Sequence, residues 1–188
     1  MAFFTAKNAG IAFMIAAILN IIGAIVVVIL ARDTNLAGAA VMAIGGIICA
    51  LLYFLYGNKV RKGEISDKVE ILAQFVKIVG IVQIVSAIFN AAGNAVSGVE
   101  IGIGSLIISI IIGLIIIFIS TRINDGKQTT GDKLIWIILL IAFVICLLIA
   151  ILEIISIVLI IYGICDLIVY SFMILLLTDS EVKSAMNI

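Results

Sequence analysis

The chain has 188 residues, of which 65% are apolar and 12% charged, and its mean hydropathy is +1.46. Water-soluble domains average about half apolar and about a quarter charged, so an ordinary globular protein is excluded. Eleven basic residues balance eleven acidic ones, which leaves no nucleic-acid footprint; histidine is absent, and with it the usual imidazole base, proton shuttle and nitrogen metal ligand.

The apolar residues come in blocks of about 20, the length that crosses about 30 Å of hydrocarbon. Six spans are predicted, over residues 9–30, 37–56, 78–97, 101–120, 134–152 and 157–177. The first reads as a retained span and not a removed signal peptide, because no small-residue cleavage site precedes its polar end. It carries Ala9, Ala12, Ala16, Asn20 and Gly23 along one helical face, and the second carries Ala39, Ala43, Gly46 and Ala50 at the same spacing. Lipid gives little hydrophobic drive between helices, so small residues that let backbones approach mark the packing faces.

Residues 67–77 lead into the third span as an amphipathic segment. Val69, Ile71, Leu72, Phe75 and Val76 share one face, and Glu70, Gln74 and Lys77 another. The segment is expected to lie at the interface or to continue the helix into the cytoplasm. The third span itself aligns Gln83, Ser86, Asn90, Asn94 and Ser97. The fourth aligns the small residues Gly98, Gly102, Ser105, Ser109 and Gly113. Its GIGS run (102–105) superficially resembles a glycine loop, but without a preceding strand or a phosphate-binding lysine it reads as packing.

Residues 134–177 are twice a membrane thickness with only Glu153 and Asp166 charged, so the chain doubles back there. The turn is placed at 153–156, because a charge at an interface costs far less than one at mid-membrane. Asp166 then lies nearest the midplane of the sixth span, with Gly163 and Tyr170 on its side and no basic residue at its depth. A carboxylic acid there is expected to be neutral and to donate a hydrogen bond, to Asn20 or Asn90. Glu153 at the turn and Lys77 near the inner surface are read as interfacial. Trp136 and Tyr56 are expected to anchor at the cytoplasmic surface, while Tyr53 and Tyr170 lie too deep for an interfacial belt.

Ten of the eleven basic residues (Lys7, Lys59, Arg61, Lys62, Lys68, Lys77, Arg122, Lys127, Lys133 and Lys183) fall on one side of this topology, and only Arg32 on the other. The positive-inside rule therefore predicts cytoplasmic termini. Self-similarity adds an organisation. KNAGIAFMIAAILNIIG (7–23) matches KIVGIVQIVSAIFNAAG (77–93) at Lys, Gly, Ile, Ala, Ile, Asn and Gly. More weakly, AILEIIS (150–156) matches AILNIIG (17–23), with Glu153 at the position of Asn20 and Asn90. The fold expected is all-α, one polytopic membrane domain over residues 1–188. Its six transmembrane helices form three hairpin repeats, over about 1–66, 67–132 and 133–188. Such parallel repeats differ from the inverted repeats of many secondary transporters.

Cys49, Cys146 and Cys165 are widely spaced within apolar blocks and read as packing residues, so neither a metal site nor a cofactor is expected. No motif for nucleotide binding, hydrolysis or peptide cleavage is present, and a non-enzymatic protein is expected. The candidate site is an intramembrane polar cluster of Asp166, Asn20, Asn90 and Gln83. It has two competing uses: hydrogen-bonded glue between helices, at about 0.6 kcal/mol per contact, or a proton or small-solute path in which Asp166 titrates. The segments GAIVVVI (23–29), GIICALLYF (46–54) and GICDLIVYS (163–171), set in three short hairpins, resemble the HdeD-type six-span proteins linked to acid resistance in bacteria. The resemblance implies a small structural or stress-related membrane protein. The partners expected are the lipid bilayer and a second copy or a larger membrane complex, in which the chain would be an accessory subunit; a channel or transporter centred on Asp166 is the alternative.

Overall fold

The computed structural model describes residues 5–127, 129–156 and 159–188. Among the described residues six helices are long and apolar enough to cross a membrane: α1 (Ala6–Leu30), α2 (Leu36–Lys62), α3 (Lys68–Val96), α4 (Ile103–Ile123), α5 (Thr130–Ile155) and α6 (Ile160–Leu177). A short α7 (Ser180–Ala185) follows, and no strand occurs among the described residues. The six predicted spans are all present, most of them longer than the apolar blocks that announced them. Polar caps start several helices: Thr5 accepts from the Asn8 N–H, Asn35 from Gly38 and Asp67 from Glu70. Gly63, which adopts a left-handed φ of 76°, ends α2.

Neighbouring helices run antiparallel in the lateral order α4, α3, α2, α1, α6, α5. Glycines set the approaches. A methyl group placed on Gly57 would stand 2.7 Å from the Gly10 carbonyl oxygen (α1 on α2), one on Gly93 would stand 2.9 Å from that of Gly38 (α2 on α3), and one on Gly113 would stand 2.8 Å from that of Gly80 (α3 on α4). Gly10 and Gly80 hold the same place in the matched segments 7–23 and 77–93. The third hairpin is joined differently, with Gly163 of the second helix against the Ala150 carbonyl, 2.7 Å from the position of an added Cβ.

The antiparallel order brings together the helix ends at or near which most of the basic residues stand, and the buried core sits at that basic end. The lead-in to α3 is part of one continuous helix, and its apolar face does not rest on an interface: Ile71, Leu72, Phe75 and Val76 are buried against Phe13, Tyr56, Val60, Met173 and Leu176. Tyr56 is corrected from a surface anchor to a core residue. It is 3% exposed, its hydroxyl donates to the Ile71 carbonyl at 2.7 Å, and α2 continues beyond it to Lys62. Trp136 donates Nε1–H to the Leu177 carbonyl at 2.8 Å, joining α5 to the end of α6.

The chain then seals this end with α7. Val182 and Met186 are buried, and the Lys68 ammonium donates to both Asp179 carboxylate oxygens at 3.0 and 2.9 Å and to Glu181 at 3.0 Å. Those hydrogen bonds, Asp179 first, hold the Lys68 ammonium above its ordinary range. Burial alone would raise the Asp179 carboxyl, but the Lys68 hydrogen bond, the Glu181 N–H and the Lys68 charge together hold it below the usual carboxylate range.

Large side chains on the outer faces of α4 and α5 are exposed, among them Ile108, Ile115, Phe118, Ile141, Leu148 and Leu152, as lipid-facing surfaces require. The small-residue faces of α1 and α2 pack inward as predicted. The α4 stripe does not: only Gly113 is buried, and Gly102, Ser105 and Ser109 instead line an open cleft against α3.

Candidate functional site

α1, α2, α3, α5 and α6 leave between them a cavity of about 350 Å³. Its wall combines Asn20 of α1; Gly46, Cys49, Ala50 and Tyr53 of α2; Val82 and Ser86 of α3; Glu153 of α5; and Tyr162, Asp166 and Tyr170 of α6. No lysine or arginine belongs to it. Such a volume holds several water molecules, and its polar groups are numerous enough to bind them.

Depth follows from helix geometry. Asp166 is six residues from the start of α6 at Ile160, hence about 9 Å inward along the axis, and close to the helix midpoint. Glu153 sits in the last turn of α5, beside Gly163: a methyl group on Gly163 would stand 2.9 Å from the Glu153 Cβ. Gly163 and Asp166 are one turn apart on one face, and Asp166 and Glu153 line the same cavity. Glu153 Oε2 is buried with no hydrogen-bond partner among the described residues.

Glu153, read as an interfacial turn residue, stands in the last turn of α5, the turn itself beginning at Ser156, and it also lines the cavity. The helix continues past it to Ile155, and the close approach of Gly163 brings α6 against this last turn of α5. A signal for this stood in the sequence: the AILEIIS match places Glu153 where Asn20 stands, and the two line one cavity.

The predicted cluster is brought together only in part. Asn20 and Asp166 share the main wall. Asn90 is exposed and stands between two adjoining spaces. One is a cavity of about 180 Å³ that shares Gly46 and Tyr162 with the main one, and the other is the α3–α4 cleft of about 160 Å³ with Asn94, Ser105 and Ser109. Gln83 is half-buried and not in the main wall; its neighbour Val82 is. The expected hydrogen bond from Asp166 to Asn20 or Asn90 does not form among the described residues. Asn20 donates instead to the Ala16 carbonyl of its own helix at 3.2 Å. The cluster is a polar seam along connected spaces, not a knot of interhelical bonds.

Towards the basic end the cavity meets an aromatic layer. Tyr53 and Tyr170 form its floor; Tyr53 lies 6.1 Å from Phe75, Phe75 6.0 Å from Phe143 in an edge-on arrangement, and Phe143 6.1 Å from Tyr170. Behind Phe75 stand Phe13 at 5.6 Å and Tyr56 at 6.4 Å. Cys49 lies on the wall with its thiol 3.5 Å from the Ser86 hydroxyl, and Cys49, Cys146 and Cys165 are all free thiols. Among the described residues no group of three or more Cys, Asp or Glu side chains is placed to hold a metal ion.

Six apolar helices around this seam define the chain as a multi-pass integral membrane protein. No family model, no curated protein and no solved structure matches it.

Proposed function

We propose that the protein is a non-enzymatic membrane protein that conducts or carries a proton or small solute through the cavity at Asp166 and Glu153, entering from the end opposite the basic residues. By the positive-inside rule the basic end and both termini face the cytoplasm, so entry is from the far side of the membrane. The observation that carries this reading is the pairing of two intramembrane carboxyls in one roomy cavity without any basic partner. Intramembrane acids are costly and rare, and where they face an interior cavity they mark ion and proton paths. Structural glue is the weaker use, because Asn20 bonds to its own helix and Asp166 to neither asparagine. The aromatic layer and the α7 seal make the inner half of the path a closed gate in this conformation.

The test is flux. In proteoliposomes with an internal pH dye and an imposed acid gradient, the parent protein acidifies the lumen, and Asp166→Asn and Glu153→Gln reduce that rate to the leak of empty vesicles. No flux in the parent, or unchanged flux in both variants, removes the reading.

A further inference from the structure

We propose that the cavity binds a small organic ammonium ion, with Asp166 and Glu153 as its counter-charge and the rings of Tyr53, Tyr162 and Tyr170 around it. The proposal rests on the reading of these acids as a titrating site. Three of the chain's four tyrosines line this one cavity together with both intramembrane acids. An aromatic face attracts a cation through its quadrupole, and rings combined with a carboxylate are how proteins recognise alkylammonium groups.

Size and ligand count separate this from an inorganic ion. A hard divalent cation takes six or more oxygens, and the described residues offer no group of three or more ligating side chains. The volume of about 350 Å³ is that of a pocket for a ligand of several heavy atoms. Tyr162 is held in place by α1: a methyl group on Gly23 would stand 3.0 Å from the ring, so the glycine gives the ring its seat.

Charge is conserved if one monovalent ammonium replaces one proton on the acid pair, which makes the site an ammonium–proton exchanger. The other titratable groups around the pair are Cys49 and Tyr53 on α2, Cys146 on α5, and Tyr162, Cys165 and Tyr170 on α6, none of them basic. Protons are therefore the competing cation, and acid weakens binding.

The experiment is calorimetric titration of the full chain in lipid nanodiscs with tetramethylammonium chloride, against sodium chloride at equal ionic strength. Expected are saturable tetramethylammonium binding with a buffer-dependent heat of proton release, none for sodium, and weaker binding at lower pH. Tyr162→Phe keeps the ring and stays within about threefold of the parent, whereas Tyr162→Leu binds about tenfold more weakly. No saturable binding, equal behaviour of sodium, or parent-like binding by Tyr162→Leu overturns the proposal. Labelling the same sample with a hydrophobic carbodiimide separates the two levels. Label on Asp166 or Glu153 without ammonium binding refutes the ligand alone, and absence of label on both removes the titrating-site reading with it.

Discussion

Replacing Gly10 by alanine tests whether backbone contact at the basic end holds the bundle together. The added Cβ would stand 2.6 Å from the Gly57 carbonyl oxygen and 2.8 Å from the Arg61 Cα, with the Arg61 nitrogen closer still. Comfortable contact begins at about 3.5 Å, so α1 and α2 must part by about 1 Å. All three obstacles are backbone atoms, which no rotamer change can move. The parting would pull Phe13 from Tyr56, whose rings are 5.1 Å apart in the core. Overpacking costs about 1–3 kcal/mol, and the better helix propensity of alanine returns up to about 1, so a net loss of up to about 2 kcal/mol is expected. Gly104→Ala is the control, since a Cβ there meets nothing within 4 Å and propensity alone should act. Trp136, the chain's one tryptophan, reports reversible unfolding in mixed micelles. If Gly10→Ala proves as stable as Gly104→Ala, the glycine contact is not what limits the approach of the two helices.

Three further outcomes follow from the same geometry. Lys68→Ala releases α7: amide exchange across residues 180–185 should quicken, with a loss of global stability of at most about 1 kcal/mol because the ion pair is partly exposed. In the parent that tie depends on pH in two ways. Asp179, held low, contributes above the ordinary carboxylate range near about 3.9 and is lost as pH falls through its lower folded value. Lys68, held high, contributes below about 10.4 and is lost as pH rises through its higher folded value. Exchange in α7 should therefore be flat between about pH 4 and 10 once corrected for intrinsic rates, and a rise near neutrality would count against the ion pair. Tyr56→Phe deletes one buried hydrogen bond and should cost about 1 kcal/mol in the same unfolding assay; no change would mean that the hydroxyl is satisfied elsewhere.

Length and charge patterning made the membrane class, the six helices and the gathering of basic residues at one end legible, because each is a local property of the chain. Lateral arrangement was not local. The glycine and serine stripe on α4 was read as a packing face, but the facing positions of α3 carry Asn90 and Asn94, and beyond the Gly80–Gly113 contact the helices leave a cleft. Tyr56 closes the apolar block of the second span and so reads as a surface anchor; the lead-in to α3 covers the ring instead. The cost of a mid-membrane charge places Glu153 at a turn. It also lines the cavity, beside Gly163, ten residues on in the next helix, a pairing that periodicity within one helix does not encode.

Whether Asp166 and Glu153 are reachable within the intramembrane cavity is read most directly by covalent labelling. A hydrophobic carbodiimide reacts with protonated carboxyls in apolar surroundings, so treatment of the protein in nanodiscs at neutral pH, followed by peptide mapping, should place the label on Asp166 and Glu153 and spare the exposed Glu64 and Asp67. Label confined to surface acids, with Asp166 and Glu153 unmodified, would contradict the account.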